Sequence, residues 1–378
     1  MEKNIYLVLL IVFAIGFTAS CGIHFHTLPD AKIVLGSDVI GKKLFYENKK
    51  LRRVTSISFG QFTSNSEDEI AVVADNGAQF LTRSVVEKEF VLFDRRGGKT
   101  VPIKALGGGF YGFLNRGRGW QEVSLLDSKG HTKWKYPPES GSDNAAADNM
   151  AAGDLNGDGK LEFVVGMNAS GGLRILNDKG VLMHKYEAVN VFSVEVLDID
   201  GDGVPEILHS GHGFVIRRSN GDIVRTFNER DGGVGHFSLL QPSVLYKELI
   251  IVYIDGDDMV DRNDNLNLID TKGSAIKKFK LPGWGHHAAE GTVVHLNGLG
   301  KSPYYAFVRT IDATSQRSEL LIFDLTSRLI FHEVMPSSHI TVATYNIEGQ
   351  DHEKLLVGAD SFVWEYGFNP DTKSDQKK

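Results

Sequence analysis

Two acidic nonapeptides, 44 residues apart, constrain this chain more than any other feature. "DLNGDGKLE" spans residues 154–162 and "DIDGDGVPE" spans residues 198–206. Both place oxygen donors at positions 1, 3, 5 and 9. These are Asp154, Asn156, Asp158 and Glu162 in the first copy, and Asp198, Asp200, Asp202 and Glu206 in the second. Calcium takes six to eight oxygens, commonly with a backbone carbonyl at position 7; here that position is Lys160 or Val204. Gly159 and Gly203, at position 6, let the chain turn sharply. The expected ligand of both loops is therefore Ca2+.

A helix-loop-helix hand does not fit. It needs a glutamate at position 12 and a helix on each side, whereas position 12 is Val165 in one copy and His209 in the other. The flanks "FSVEVL", "EILHSG" and "EFVVG" are short and rich in β-branched residues, and Pro205 opposes a continuing helix. Each loop therefore joins two strands. A metal-bound carboxylate stays ionised, so Glu162 and Glu206 are poor general acids.

The spacing of the twins predicts a repeat of about 45 residues. Turns that end a third strand recur in "VLFDRRGGKT", "SLLDSKGHTKWKY", "RILNDKGVLMHKY", "VIRRSNGDIVRTF", "NLIDTKGSAIKKF" and "LIFDLTSRLIFHE". A last third strand, "FVWEYGF" (362–368), lacks a fourth. Paired first and second strands begin at Ile57, Met150, Phe192, Phe237, Gly291 and Ile340. One unit is irregular: the stretch between Leu92 and Leu125 is short for a fourth strand plus two new ones. Four short strands per unit, repeated about seven times, specify an all-β chain folded as a single β-propeller of four-stranded blades. Seven blades are expected, with six or eight left open by the irregular unit. "KKLFYENKK" (42–50) has the pattern of an outer strand. It would complete the last blade and cover an exposed edge.

The repeated unit resembles the FG-GAP/VCBS family, the integrin-type calcium-bearing propeller repeats, over residues 43–368. The resemblance is sharpest in the two acidic units. It implies a calcium-binding propeller, but the loops "FTSNSEDE", "QPSVLYKE", "NGLGKSP" and "NIEGQDHEK" have lost most ligands, so no calcium is expected there.

The single cysteine, Cys21, excludes an intrachain disulfide. It follows Lys3, the apolar run "IYLVLLIVFAIGF" and the small residues "TAS", the layout of a secretory signal. The ending resembles the lipobox of bacterial lipoproteins, which implies cleavage before Cys21 and acylation of its thiol. Thr18 departs from the leucine usual in that motif, and Glu2 weakens the positive start. A plain cleaved signal and an uncleaved anchor remain alternatives. The expected organisation is a signal peptide at 1–20, an anchor and linker at 21–41, the propeller at 42–368 and a polar tail at 369–378. The resemblance places the chain in the bacterial envelope, on the outer membrane.

A net charge of −7 and no basic stripe along the sequence argue against a nucleic-acid partner. No nucleophile elbow, phosphate loop or dinucleotide fingerprint occurs. In a ring of such blades the acidic loops share one face. Residues that follow second strands or just precede first strands share the other: His209 and His212 after a second strand, His236, His286, His287 and His339 before first strands, and Asn149, Asn168, Trp120, Trp284 and Glu290 at comparable positions. These form a candidate ligand mouth. Two functions follow. One is a monomeric, non-catalytic binding or scaffold protein for a protein or glycan. The other is a carbohydrate-active lyase or hydrolase at the histidine-rich mouth. The fold alone does not choose between them.

Overall fold

The computed structural model describes residues 40–368, apart from 48–52, 61, 63–67, 75–76, 83–84, 92–94, 103–109, 118–120, 128, 140–146, 169, 187–189, 212, 228–233, 241–248, 257–263, 281–285, 299–300, 313–316, 327, 338 and 347–351. The signal sequence, Cys21, His212, Trp120, Trp284 and the tail lie outside the described residues.

Every described element is a strand, and the strands form four-stranded antiparallel sheets. Blade 1 holds β2 (Val54–Gly60), β3 (Glu69–Ala74), β4 (Gly77–Thr82) and β5 (Val85–Val91). Blade 2 holds β6 (Arg95–Pro102), β7 (Phe110–Gly117), β8 (Gln121–Asp127) and β9 (Thr132–Tyr136). Blade 3 holds β10 (Ala147–Gly153), β11 (Glu162–Met167), β12 (Gly172–Leu176) and β13 (Leu182–Tyr186). Blade 4 holds β14 (Val194–Leu197), β15 (Glu206–Ser210), β16 (Phe214–Arg217) and β17 (Ile223–Phe227). Blade 5 holds β18 (Val234–Leu240), β19 (Ile250–Gly256), β20 (Asp264–Asp270) and β21 (Ala275–Lys280). Blade 6 holds β22 (His286–Val294), β23 (Tyr304–Asp312), β24 (Arg317–Phe323) and β25 (Leu329–Met335). The remaining sheet, blade 7, pairs β26 (Ile340–Asn346), β27 (Glu353–Ala359) and β28 (Phe362–Phe368) with the amino-terminal β1 (Ile40–Glu47), which runs antiparallel to β28. Neighbouring blades touch chiefly through their first strands, and β26 meets β2. This is a β-propeller.

Burial explains the sequence pattern. Second and third strands are covered on both faces by adjacent blades. They therefore read as unbroken apolar runs, such as "EIAVVA" in β3 and "EFVVGM" in β11, rather than alternating. Core clusters span blade boundaries: Val294, Leu320 and Ile322 pack with Ile340, Val357 and Tyr366. At about 25 cal/mol per Å2 of apolar surface, these inter-blade layers are the main force holding the sheets together.

One expectation is corrected. "VLFDRRGGKT" is not a third-strand turn: Val91 ends β5, the fourth strand of blade 1, and Arg95 opens β6. The third strand is β4, separated from β5 by only two residues. The hairpin therefore shows no Asp-Gly signature in the sequence, and the apparent shortage before Leu125 disappears.

The turns that follow β8, β12, β20 and β24 share a polar cap. Asp127, Asn177, Asp270 and Asp324 each accept the backbone N–H groups two and four residues ahead with Oδ1, at 2.7–3.0 Å. A glycine between third and fourth strands also seats a neighbour in blades 3, 4 and 5. Gly180, Gly221 and Gly273 have φ of 75°, 86° and 85°. Their absent Cβ positions lie against the rings of Trp134, Tyr186 and Phe227, each from the fourth strand of the preceding blade. Trp134 Nε1 also donates to Asp178 O at 3.1 Å, and Tyr186 Oη to Asn220 O at 2.6 Å.

Candidate metal centre

The acidic loops begin where blades 3 and 4 stop pairing. Gly153 opposes Glu162 at the end of the β10–β11 ladder, and Leu197 opposes Glu206 at the end of β14–β15. Asp154 and Asp198 are thus the first residues beyond their strands. Asp154 Oδ1 accepts Gly157 N–H at 2.8 Å and Asp158 N–H at 3.1 Å, and its Oδ2 accepts Gly159 N–H at 2.8 Å. Asp198 takes Gly201 and Gly203 N–H at 2.7 and 2.9 Å. Asn156, Asp158, Asp200 and Asp202 each accept the N–H two residues ahead, at 2.8–3.1 Å. Gly157, Gly159, Gly201 and Gly203 have φ between 74° and 89° with nothing near their Cβ positions. The left-handed backbone, not space, requires glycine there.

These bonds curl both loops, but among the described residues only the blade 4 loop brings three acidic side chains together; in blade 3, Asn156 Nδ2 donates to Glu162 Oε1 at 3.3 Å. In blade 4, ligand atoms of Asp198, Asp200 and Glu206 lie within 4.8 Å of one another. Lys160 Nζ sits 3.6 Å from Asp158, on the solvent side. Val204 is exposed. Glu162 and Glu206 are buried, and burial pushes both carboxyl groups above their ordinary range. The charges of Asp158 and Asp154, and of Asp200, Asp202 and Asp198, push the same way. The Leu155 and Ile199 N–H groups oppose them. An all-oxygen donor set around crowded negative charge suits a hard divalent cation.

The glutamate has a second job that the sequence did not reveal. Glu162 accepts Leu155 N–H at 2.9 Å, and Glu206 accepts Ile199 N–H at 3.1 Å. Glu69, in the blade 1 loop without the aspartates, accepts Phe62 N–H at 3.1 Å across the same seven residues. The clip therefore exists without the ligand set. In blade 7, Glu353 instead reaches His295 of blade 6, accepting its backbone N–H at 2.7 Å and contacting its Nδ1 at 2.9 Å.

Of the six histidines of the expected mouth, the side chains of His209 and His339 are among the described residues. His209 lies within β15 rather than after it, and is 1% exposed. Arg217 Nε donates to its Nε2 at 2.9 Å, so its proton is on Nδ1, which faces Ser210 O at 2.9 Å. Burial, with the Arg217 charge adding to it and the Ser210 carbonyl opposing, holds this imidazole down to about 4. It is therefore a neutral, enclosed group, not an open ligand. His339 is half-buried just before β26, its Nε2 3.0 Å from Thr55 O of blade 1. The structure does not bring these two together. His236 lies in β18 and His286 and His287 in β22, inside strands rather than before them; their side chains lie outside the described residues. Asn149 donates to Phe192 O at 3.3 Å, and Glu290 accepts Thr341 Oγ1 at 2.7 Å. Both tie neighbouring blades at this face. Asn168 is partly buried beyond β11, its carbonyl accepting Gly171 N–H at 2.9 Å.

Blade 6 holds an ionic group with no sequence signal, because its members sit on three different strands. Arg309 and Glu319 are cross-strand partners joined by a salt bridge, and Glu319 Oε2 lies 2.7 Å from His332 Nε2. All three are buried.

No family model and no curated protein matches the chain. Solved structures do. The chain is similar to BBS1N, solved in complex with ARL6DN (TM-score 0.55, 12% identity, 85% of this chain and 93% of that one). It is similar to the Vibrio cholerae biofilm matrix protein Bap1 (TM-score 0.53, 12% identity, 84% and 80%). It is also similar to the Neurospora crassa Pan2 WD40 domain (TM-score 0.55, 10% identity, 88% and 96%). At such identities these likenesses define the class as β-propeller and nothing narrower.

Proposed function

We propose that this chain is a calcium-stabilised, lipid-anchored propeller of the bacterial envelope, and that its closed seven-bladed ring is a non-catalytic platform for a protein or glycan. The observation that carries the reading is the convergence of Asp198, Asp200 and Glu206 on a loop shaped by its own backbone N–H groups. Asp198, Asp200, Asp202 and Glu206, with the Val204 carbonyl, would hold the ion in blade 4. Asp154, Asn156, Asp158 and Glu162, with the Lys160 carbonyl, would hold its twin. The ion would neutralise the crowded carboxylates and stiffen one face.

Ring closure is supported by the β1–β28 pairing and the contact of β26 with β2. Cys21 and its preceding apolar run support the anchor. The binding role draws on propeller structures such as BBS1N, solved with ARL6DN, and the biofilm matrix protein Bap1. His209, buried and with both ring nitrogens engaged by Ser210 O and Arg217 Nε, is unsuited to be the base of a mouth-centred lyase.

The test is a glycan array and in-cell crosslinking, with and without chelator, beside assays on a polysaccharide panel. Saturable binding without turnover is expected. Turnover of any polysaccharide would replace the platform with an enzyme. Palmitate labelling that survives Cys21→Ser would remove the anchor.

A further inference from the structure

The fold gathers cations that are dispersed in the sequence. Fourth strands form the outer rim, and those of blades 3, 4 and 5, with their turns, occupy residues 177–186, 218–227 and 270–280. These stretches hold eight Lys and Arg against three Asp, so the arc is positive on a chain of net charge −7. Lys179, Lys185, Arg218, Lys272 and Lys278 are exposed.

The same arc exposes aliphatic side chains. Val181, Leu182 and Met183 on blade 3, Ile223 and Val224 on blade 4, and Ile276 on blade 5 all face solvent, Val181 and Ile223 at 58% and 56%. Single exposed aliphatics need no explanation. Six on three consecutive outer strands form a pattern. The surface is continuous, because Tyr186 bonds the blade 4 turn at Asn220 and Arg225 bonds the blade 5 turn at Thr271. Lysine on an edge strand deters edge-to-edge pairing, and that reason would serve any blade. It does not explain the aliphatics. Outer strand β9 of blade 2 carries Lys133 and Lys135 with no exposed large aliphatic, and β25 of blade 6 turns Phe331 and Met335 inward.

We infer that the outer rim of blades 3–5 is a docking surface for an anionic lipid bilayer. Lysine and arginine meet the headgroups, and Val181, Leu182, Met183, Ile223, Val224 and Ile276 enter the interface. Interleaved cations and aliphatics favour a lipid surface over a soluble polyanion, which would leave the aliphatics in water. The surface is separate from the amino-terminal anchor and acts with or without it.

The test is cosedimentation of the full chain with phosphatidylcholine vesicles, with and without 30% phosphatidylglycerol as the chosen probe. The anchor gives binding to both. The arc adds a component that requires phosphatidylglycerol and is lost in 1 M salt. Each of Lys179→Gln, Arg218→Gln and Lys272→Gln is expected to lower that component roughly fivefold. Val181→Ser with Val224→Ser lowers it further, while Lys301→Glu, off the arc, leaves it unchanged. Unchanged melting temperatures certify the fold. With Cys21→Ser, loss of neutral binding alone leaves the arc standing, and loss of the phosphatidylglycerol component alone in the rim variants leaves the anchor standing. Binding insensitive to the rim charges overturns the inference. So does light scattering in which the aliphatic substitutions turn an oligomer into a monomer, which would make the arc an interface between copies.

Discussion

The carboxylate of Glu162 accepts the backbone N–H of Leu155, seven residues earlier, at 2.9 Å. Glu69 does the same to Phe62 in a loop without the aspartate set. The bond closes the turn whether or not an ion is present. Glu69→Ala is therefore expected to cost about 1–3 kcal/mol, the penalty for leaving a buried donor unpaired, with the same loss in calcium and in chelator. Glu206→Ala should lose more in calcium than in chelator. Urea denaturation of both variants under both conditions checks this. A calcium-dependent loss at Glu69 would contradict it.

Calcium itself can be separated from turn geometry at one atom. Asp200 Oδ1 accepts Asp202 N–H at 3.1 Å. Asp200→Asn keeps an acceptor there and removes the charge. A hundredfold excess of ion over its dissociation constant should stabilise the natural chain by about 2.7 kcal/mol, and most of that gain should vanish in the variant. Thermal melting across a calcium titration measures it. An equal gain in both chains would place the ion elsewhere.

The legible parts of this chain were those whose chemistry is local. The aspartate loops, the Asp-Gly turns after β8, β12 and β20, and the apolar runs of β11 and β15 each use neighbours in sequence. The β4–β5 hairpin was misplaced because its chain reversal needs no aspartate or glycine cap. His209 looked like a loop residue because nothing in "EILHSG" reports that Arg217, on the next strand, encloses it. The Arg309–Glu319–His332 group was invisible because cross-strand register, not spacing, assembles it. The rim pattern likewise appears only when outer strands from separate repeats are set side by side.

The glycine–aromatic seats predict a contrast between two glycines of similar backbone. Gly203 and Gly221 have φ of 89° and 86°, but only at Gly221 would a Cβ meet a ring, that of Tyr186. In chelator, Gly203→Ala should cost about 1–2 kcal/mol for the left-handed conformation alone. Gly221→Ala should cost that plus about 1–3 kcal/mol for overpacking, unless Tyr186 swings away and loses its bond to Asn220 O. Denaturant midpoints of the two variants give the comparison. Equal losses would mean that the ring yields without cost.

The buried group in blade 6 gives a pH signature. Burial alone would raise the Glu319 carboxyl, but the His332 hydrogen bond and the adjacent Arg309 outweigh it and hold the group below its ordinary value of 4.5. A depressed carboxylate contributes stability that is fully present above the unfolded value and is lost as pH falls through the folded one. The chain should therefore lose stability below about pH 4.5, in part through this residue. Glu319→Gln should flatten that part of the profile. At neutral pH it should cost about 3–5 kcal/mol, because Arg309 is left buried without its counter-charge. A paired Arg309→Met, Glu319→Leu variant removes both charges and should recover much of the loss. Urea midpoints from pH 3 to 7 for the three chains check the point. A Glu319→Gln profile parallel to that of the natural chain would show that acid unfolding proceeds through other carboxylates.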